Sequence, residues 1–181
     1  MFGSEIETVG APFNMSTISK FKGVAGKTWA YAVKAGDVLK DSIKLDDFDN
    51  EVYDLTISGP NGFYRHFTGS KKNPSVVVKA YPEQAGLVTK KLTGTLVFAI
   101  ENKGASLVTL QIVDNKYKSG SKTVTIRPKS SANISFNLVK NANWYDFSIV
   151  QTGNTTFKHR YAGKIETGEI TQTDPYMGNA S

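Results

Sequence analysis

The sequence of 181 residues contains no cysteine, which excludes disulfides, thiolate zinc sites and CxxC redox chemistry. Histidine is also scarce, since only His66 and His159 occur. Both lie in stretches of alternating residues, and the GxSxG turn that presents a nucleophilic serine is missing from the sequence. Because Ser-His-Asp catalysis needs a histidine beside a serine nucleophile, we expect no catalytic residues of that type.

Long apolar runs are missing as well. The most apolar stretch, TLVFAI at 95–100, is far shorter than the roughly 20 residues that a membrane-spanning helix needs. The first ten residues, MFGSEIETVG, have neither the basic start nor the apolar centre of a signal peptide. We therefore expect any export signal to lie upstream of this sequence.

The charge is basic but dispersed. Lysine and arginine number 22 against 16 acidic residues, which gives a formal net charge of +6. Such a surface attracts anions. The longest basic runs are only the pairs Lys71-Lys72 and Lys90-Lys91, however, so no polybasic tract indicates nucleic-acid binding. We expect a solvated surface with excess lysine and no nucleic-acid partner.

Most of the chain consists of short segments rich in β-branched and aromatic residues. They often alternate apolar and polar residues and are separated by glycine, asparagine, proline and serine, a pattern typical of strands joined by turns. No segment keeps a helical period, so the sequence predicts an all-β sandwich or barrel. The predicted strands cover 28–36, 52–59, 62–69, 75–82, 95–102, 106–115, 122–128, 131–139, 144–152 and 155–163.

An internal repeat organises these segments. YDLTISGPNGFYRHFTGS at 53–70 aligns with YDFSIVQTGNTTFKHRYAGK at 145–164. The match continues upstream, where 31–45 aligns with 124–138 and 10–22 aligns with 104–118. The repeat predicts two tandem, related β-sandwich modules of Ig-like type, at 1–70 and 75–181.

The two predicted modules are not equally complete. The segment 75–102, which opens the second module, has no counterpart in the first beyond MFGSEIETV. We therefore expect the first module to lack its initial strand or strands, as in a fragment cut from a larger protein. The polar stretch GSKKNPS at 69–75 is typical of a short linker.

The aromatic residues of the repeat predict a core. Alternation places Phe63, Arg65 and Phe67 on one face of their strand and Tyr64 and His66 on the other. We expect the aromatics to pack in the core with the cations outward, and a tyrosine at each strand start to fix a corner through its hydroxyl and nearby backbone. The expected structural aromatics are Tyr53, Phe63, Phe67, Trp144, Tyr145, Phe157 and Tyr161.

A ligand surface remains an alternative for the residues that the two copies do not share. Pro60, Asn61, Tyr64 and His66 differ between the copies, so a contact with a ligand or a surface is expected there if there is one. Asn61-Gly62 is well suited to a tight hairpin turn.

Cofactor and metal signals are weak. The acidic segment DDFDNE at 46–51 does not continue as an EF-hand loop, since Val52 stands where that loop needs its glycine. A calcium site in a sandwich loop stays open, although a solvated acidic loop is the simpler interpretation. Gly-Pro-Asn-Gly opens no helix and is not a phosphate loop. We expect no cofactor.

Taken together, the motifs resemble the C-terminal region of bacterial phosphocholine-preferring phospholipases C. The first module carries Tyr-Asp-Leu, Gly-Pro-Asn-Gly-Phe and the following Arg, Phe and Gly at 53–69. The second carries Asp-Asn-x-Tyr at 114–117 and Trp-Tyr-Asp at 144–146. It ends with Glu-Thr-Gly at 166–168 and Asp-Pro-x-Met-Gly at 174–178. The similarity spans roughly residues 10–178.

The resemblance implies a function for the region. In that family a catalytic domain related to alkaline phosphatases precedes two β-rich modules, and it acts on phosphatidylcholine or sphingomyelin. The catalytic residues of that domain have no counterpart in this sequence. The resemblance thus implies a non-catalytic accessory region of a secreted or periplasmic enzyme, with the upstream catalytic domain as its partner and a phospholipid surface as a second contact. A carbohydrate-binding module and a purely structural domain are the alternatives.

Overall fold

The computed structural model describes residues 10–169 and 172–176. The opening segment 1–9 and the Met177-Gly178 end of the closing motif lie outside the described residues. The strands are β1 Ala11–Thr17, β2 Thr28–Val33, β3 Val52–Ser58, β4 Tyr64–Ser70, β5 Val76–Ala85, β6 Lys91–Asn102, β7 Val108–Asp114, β8 Lys122–Ile126, β9 Ser131–Asn137, β10 Trp144–Gln151 and β11 Asn154–Lys164.

The helical content of the described residues is limited to single 3-10 turns. These turns lie at Leu45–Asp47, Asp49–Glu51 and Val139–Asn141. The prediction of an all-β fold is therefore confirmed. In the same residues, no helix is both long enough and apolar enough to span a bilayer.

Two antiparallel sheets make up the fold. The large sheet has eight strands in the order β2-β1-β3-β4-β11-β10-β7-β8, and the small sheet has three in the order β5-β6-β9. The core lies between the small sheet and the β11-β10-β7-β8 half of the large sheet. Its buried residues are Leu96, Phe98, Ile100, Val108, Leu110, Ile112, Ile126, Ile134, Phe136, Leu138, Tyr145, Phe147, Ile149, Phe157, Tyr161 and Ile165.

The large sheet shows the repeat directly. From the centre of the sheet to one edge the strands run β4-β3-β1-β2, and to the other edge they run β11-β10-β7-β8. The repeat relates the strands of these two series one to one, in the same order. The halves join where β4 pairs with β11, and there His66 lies opposite Arg160, its counterpart in the repeat. The strands are thus related by an approximate two-fold axis at this junction. The division into modules at 1–70 and 75–181 stays a prediction, as does their Ig-like character.

The hairpin between β3 and β4 closes through the turn that the sequence predicts. Asn61 and Gly62 both have positive φ, 54° and 71°, and the Phe63 N–H donates to the Pro60 carbonyl at 3.0 Å. Two consecutive positive φ values define a type I′ turn, whose twist matches that of the flanking strands. A Cβ at Gly62 would lie 2.9 Å from the Trp144 ring, so this turn packs against the second half of the chain.

The two tyrosines that start the repeated hairpins hydrogen-bond with side chains. The Tyr53 hydroxyl accepts from the Asn73 amide at 2.9 Å, and the Tyr145 hydroxyl accepts from the Arg65 guanidinium at 3.1 Å. A tyrosine corner would instead bond to the backbone. The expected corner is therefore replaced by two different side-chain contacts, and the second of them crosses between the halves.

Candidate functional site

The outer face of the large sheet carries a polar cluster at the junction of the two halves. We call it the junction cluster and define it by Asp54 on β3, Tyr64 and His66 on β4, Asp146 on β10 and Arg160 on β11. The strands β3, β4, β11 and β10 are adjacent in the sheet. Side chains at opposed positions of antiparallel strands point to the same face, which brings these residues together.

Two side-chain pairs related by the repeat form the cluster. His66 Nε2 lies 3.0 Å from Asp54 Oδ1. Arg160 holds Asp146 with two bonds, from Nε to Oδ1 at 2.8 Å and from Nη2 to Oδ2 at 2.6 Å. Tyr-Asp begins the repeated hairpin in both copies, so each aspartate pairs with the basic residue at the matching position of the next strand.

The second pair is the more deeply embedded. The Asp146 side chain is only 7% exposed, whereas that of Asp54 is 24% exposed. Asn115 donates to Asp146 Oδ1 at 2.8 Å and to the Ser148 hydroxyl at 3.0 Å. The hydrogen bond with Asp146 raises the pKa of the Arg160 guanidinium above its usual value. Both oxygens of Asp146 are thus engaged, which suits a structural role.

Tyr64 lies against Arg160 and beside His66. Its ring centroid is 5.4 Å from the Arg160 guanidinium carbon, within the range of a cation–π contact. The His66 ring centroid lies 6.4 Å from that of Tyr64. One face of the Tyr64 ring is therefore occupied within the protein.

The four residues predicted as ligand contacts fall in two places. Pro60 and Asn61 are exposed in the hairpin turn, while Tyr64 and His66 are partly buried in the junction cluster. The sequence signal that could have revealed the aspartates of the cluster is the Tyr-Asp pair shared by both copies. Asp54, Asp146 and Arg160 were not singled out from the sequence.

The inner face of the junction is aromatic and surrounds one arginine. The Arg65 guanidinium carbon lies 4.2 Å from the Phe63 ring centroid, 5.2 Å from that of Tyr161 and 5.7 Å from that of Tyr145. It also donates to the carbonyls of Tyr64 and Ala162, both at 2.8 Å. The expectation that the cations point outward is wrong for Arg65, because aromatic faces and carbonyls on this side replace its hydration.

Four of the remaining structural aromatics lie on this face, whereas Trp144 has the strand position of the outer face, as Asp146 does. Phe157, Tyr145 and Tyr161 are buried. Phe67 contacts the Tyr161 ring edge-to-face at 5.7 Å between centroids. Trp144 is partly buried and donates from its indole nitrogen to the Gln172 carbonyl at 3.2 Å.

His159 is partly buried among these aromatics, and its Nδ1 atom is inaccessible to solvent. Its ring centroid lies 4.6 Å from that of Phe157 and 5.0 Å from that of Phe67. Nδ1 has no hydrogen-bond partner among the described residues. Burial lowers the pKa of His159 to about 4, since a charged imidazolium would be poorly solvated there. The side chain is therefore neutral near pH 7.

Neither histidine is arranged for nucleophilic catalysis. His66 pairs with a carboxylate, and no described serine hydroxyl donates to either imidazole. Over residues 10–169 and 172–176, no three metal-ligating side chains of His, Cys, Asp or Glu gather into a possible metal site. In the acidic loop, Asp47 pairs with Lys22 at 3.6 Å and Glu51 pairs with Lys71. The contacts of these histidines and of the acidic loop therefore favour a structural role for them.

The closing motif packs on the loop after β7. The ring centroids of Tyr117 and Tyr176 are 5.5 Å apart, and Lys116 lies 3.5 Å from Asp174. Burial and a hydrogen bond to Asp174 raise the pKa of the Tyr117 hydroxyl. The described part of the motif thus joins the end of the chain to the large sheet.

Comparison with known families agrees with this architecture. The family described as bacterial phospholipase C, C-terminal domain, matches the chain in two segments, at 4–70 and 74–164. The chain belongs to this family. The first matched segment contains β1 to β4, one half of the large sheet. The second contains the other half together with the small sheet.

Curated relatives are longer proteins. The chain is 34% identical over 149 residues to the non-hemolytic phospholipase C of Pseudomonas aeruginosa, which covers 82% of this chain and 21% of that protein. It is 29% identical over 178 residues to the non-hemolytic phospholipase C of Burkholderia pseudomallei. That alignment covers 94% of this chain and 23% of the relative. The hemolytic phospholipase C of Pseudomonas aeruginosa is 28% identical over 151 residues. That alignment covers 81% of this chain and 20% of the relative. The chain thus spans about a fifth of the length of these relatives.

Proposed function

We propose that this region is a non-catalytic accessory part of an exported, phosphocholine-preferring phospholipase C, in which it stabilises or orients the upstream catalytic domain. The observation that carries the proposal is the double family match, because it assigns nearly the whole chain to the C-terminal domain of bacterial phospholipase C. The junction residues support it. The Arg160–Asp146 ion pair and the contact of Arg160 with Tyr64 are satisfied within the sheet, which favours a rigid scaffold over a reaction centre.

Association with a lipid surface is a second part of this role. The net charge of +6 favours contact with an anionic membrane, by about 1 kcal/mol for each Lys or Arg close to it. A carbohydrate-binding module has less support. Stacking on a sugar ring needs an accessible aromatic face, and Arg160 occupies one face of Tyr64.

The test uses the full-length enzyme and a version that lacks this region. Hydrolysis is measured on a water-soluble phosphocholine ester and on phosphatidylcholine vesicles. We expect the shortened enzyme to retain chemistry on the soluble ester while it loses thermal stability, vesicle activity or both. The region by itself should hydrolyse neither substrate above background.

A matched control separates lipid binding from stabilisation. The isolated region is incubated with neutral and with anionic vesicles, and the bound fraction is measured by sedimentation at low and at high salt. Binding that disappears at high salt indicates surface electrostatics. Hydrolysis by the isolated region, or a shortened enzyme equal to the full-length enzyme in every assay, contradicts the proposal.

A further inference from the structure

The inner face of the first half of the large sheet is apolar and has no second sheet over it in the described part of the chain. We call it the open face. A groove of about 450 Å³ runs along it, about three times the roughly 150 Å³ cavity that holds a benzene ring. Its apolar lining includes Phe13, Met15, Val33, Val38, Leu39 and Ile57.

We propose that the open face is the docking surface for a β-hairpin with the pattern of β5 and β6, supplied by polypeptide that precedes this region in the longer protein. The hairpin would complete a second small sheet over the first half of the chain. This rests on the proposal that the region belongs to a longer protein. The internal repeat, and not the enzymatic role, determines what the occupant is.

Burial at matching positions shows what the open face lacks. Phe147 and Ile149 on β10 are fully buried beneath the small sheet, with 0% exposure. Their counterparts on β3, Leu55 and Ile57, are only partly buried. The residue types are preserved as large and apolar, but the layer that covers them is missing.

The register of β1 supports the same conclusion. Met15 lies opposite Ile57 as Ile112 lies opposite Ile149, so β1 corresponds to β7 residue by residue. Two positions earlier, Phe13 corresponds to Leu110 and is only partly buried, while Leu110 has 0% exposure. Along the groove, the inner side of the first half is therefore a core surface without its opposite layer, whereas Met15 beside it is buried at 6% exposure.

One edge for the missing sheet is already present. Residues 38–44 align with β9 at the constant offset of 93, but they form no strand ladder. In the second half, β9 pairs with β6 from Thr95 to Glu101. Val38 and Leu39 are 79% and 53% exposed. The segment thus lacks the strand against which its counterpart forms a ladder. Leu39 corresponds to Ala132, which packs against the core of the second half, so Leu39 is an exposed residue at a core-facing position.

The second half specifies the chemistry of the occupant. On β6, Leu96, Phe98 and Ile100 alternate toward the core and are essentially buried. On β5, Val76, Val78 and Ala80 pack against the same core. A segment that fits the open face should therefore be a two-stranded hairpin with every second residue apolar. The curated relatives, of which this chain covers 20 to 23%, contain enough further polypeptide to supply it.

A chimera tests the docking surface without the enzyme. In the second half, five residues connect β6 to β7, from 103 to 107, and Ala11 corresponds to Val108 by register. A second copy of 75–107 is therefore joined directly to Ala11 in place of residues 1–10. We expect the backbone amides of 38–44 to exchange at about a tenth of their rate in the original chain, or more slowly still. The binding of a hydrophobic fluorescent dye should fall.

The matched control carries the same added copy with Phe98→Asn and Ile100→Asn in that copy alone. It should leave exchange at 38–44 and dye binding as they are in the original chain. Equal behaviour of the two chimeras would overturn the proposal. So would dye displacement by phosphatidylcholine vesicles but not by the added hairpin, or a concentration-dependent dimer of the original chain that protects 38–44.

A second measurement covers the case in which the chimera does not fold. Hydrogen exchange at 38–44 is compared between the full-length protein and the 181-residue chain. Protection in the full-length protein supports the hairpin, and equal exchange in the two overturns it. Since the chimera contains no catalytic part, its result is independent of whether the proposed enzymatic role is correct.

Discussion

Acidification should destabilise this protein through His159. Its pKa is about 4 in the folded protein against 6.5 for an ordinary histidine, so the unfolded chain binds the proton first as the pH falls. Well above pH 6.5 the side chain is neutral in both states and has no effect on the free energy of unfolding. Between pH 6.5 and 4 the free energy of unfolding should fall, by about 3 kcal/mol in total at 1.36 kcal/mol for each pKa unit.

The substitution His159→Phe isolates this contribution. Phenylalanine keeps the aromatic packing beside Phe67 and Phe157 and removes the titrating group and the unpaired Nδ1. At pH 7.5 we expect its stability to lie within about 1.5 kcal/mol of the original protein, as for other volume-conserving changes. The carboxylates titrate in both proteins, so the difference between them reports His159.

The assay is urea unfolding at a series of pH values from 4 to 8. The original protein should lose more stability than His159→Phe as the pH falls from 6.5. The reasoning would be refuted if the stability of the original protein and that of His159→Phe depended on pH in parallel. It would also be refuted if the His159 imidazole titrated near 6.5 by NMR.

Two further predictions concern pairs of matched positions. Asp146→Asn should lower the free energy of unfolding by about 3 kcal/mol, since it leaves Arg160 without its charged partner. Asp54 is more exposed, so Asp54→Asn should lower it by less than about 1 kcal/mol. Equal losses in urea unfolding would contradict this difference between the two pairs. Gly62→Ala should cost more than Gly153→Ala, although both glycines have positive φ, because only the first Cβ would meet a neighbour, the Trp144 ring at 2.9 Å. Thermal melts of the two alanine variants decide this, and a larger effect at Gly153 would argue against the turn contact.

Local features of the fold could be predicted from the sequence. Asn61-Gly62 identifies its turn because two adjacent residues that tolerate positive φ determine the hairpin geometry. The all-β fold follows from alternation and turn residues in the same way. By contrast, β1 is absent from the predicted strands, because Pro12 and Asn14 lie within it and both residue types are depleted in strands.

Contacts between the halves could not be predicted. The pairing of β4 with β11 joins residues ninety or more positions apart, and nothing local to either strand specifies its neighbour. For the same reason Arg65 was expected to point to solvent. Its partners Tyr145 and Ala162 come from the other half of the chain.

The most direct test of the accessory role is the rate at which the enzyme loses activity on heating. Full-length and shortened enzymes are held at one elevated temperature, and hydrolysis of a water-soluble phosphocholine ester is followed over time. We predict equal initial activity and a clearly shorter half-life for the shortened enzyme, with an intermediate half-life for full-length Asp146→Asn. Loss of the initial activity on the soluble ester, with an unchanged half-life for what remains, would place this region in the chemistry and contradict the account.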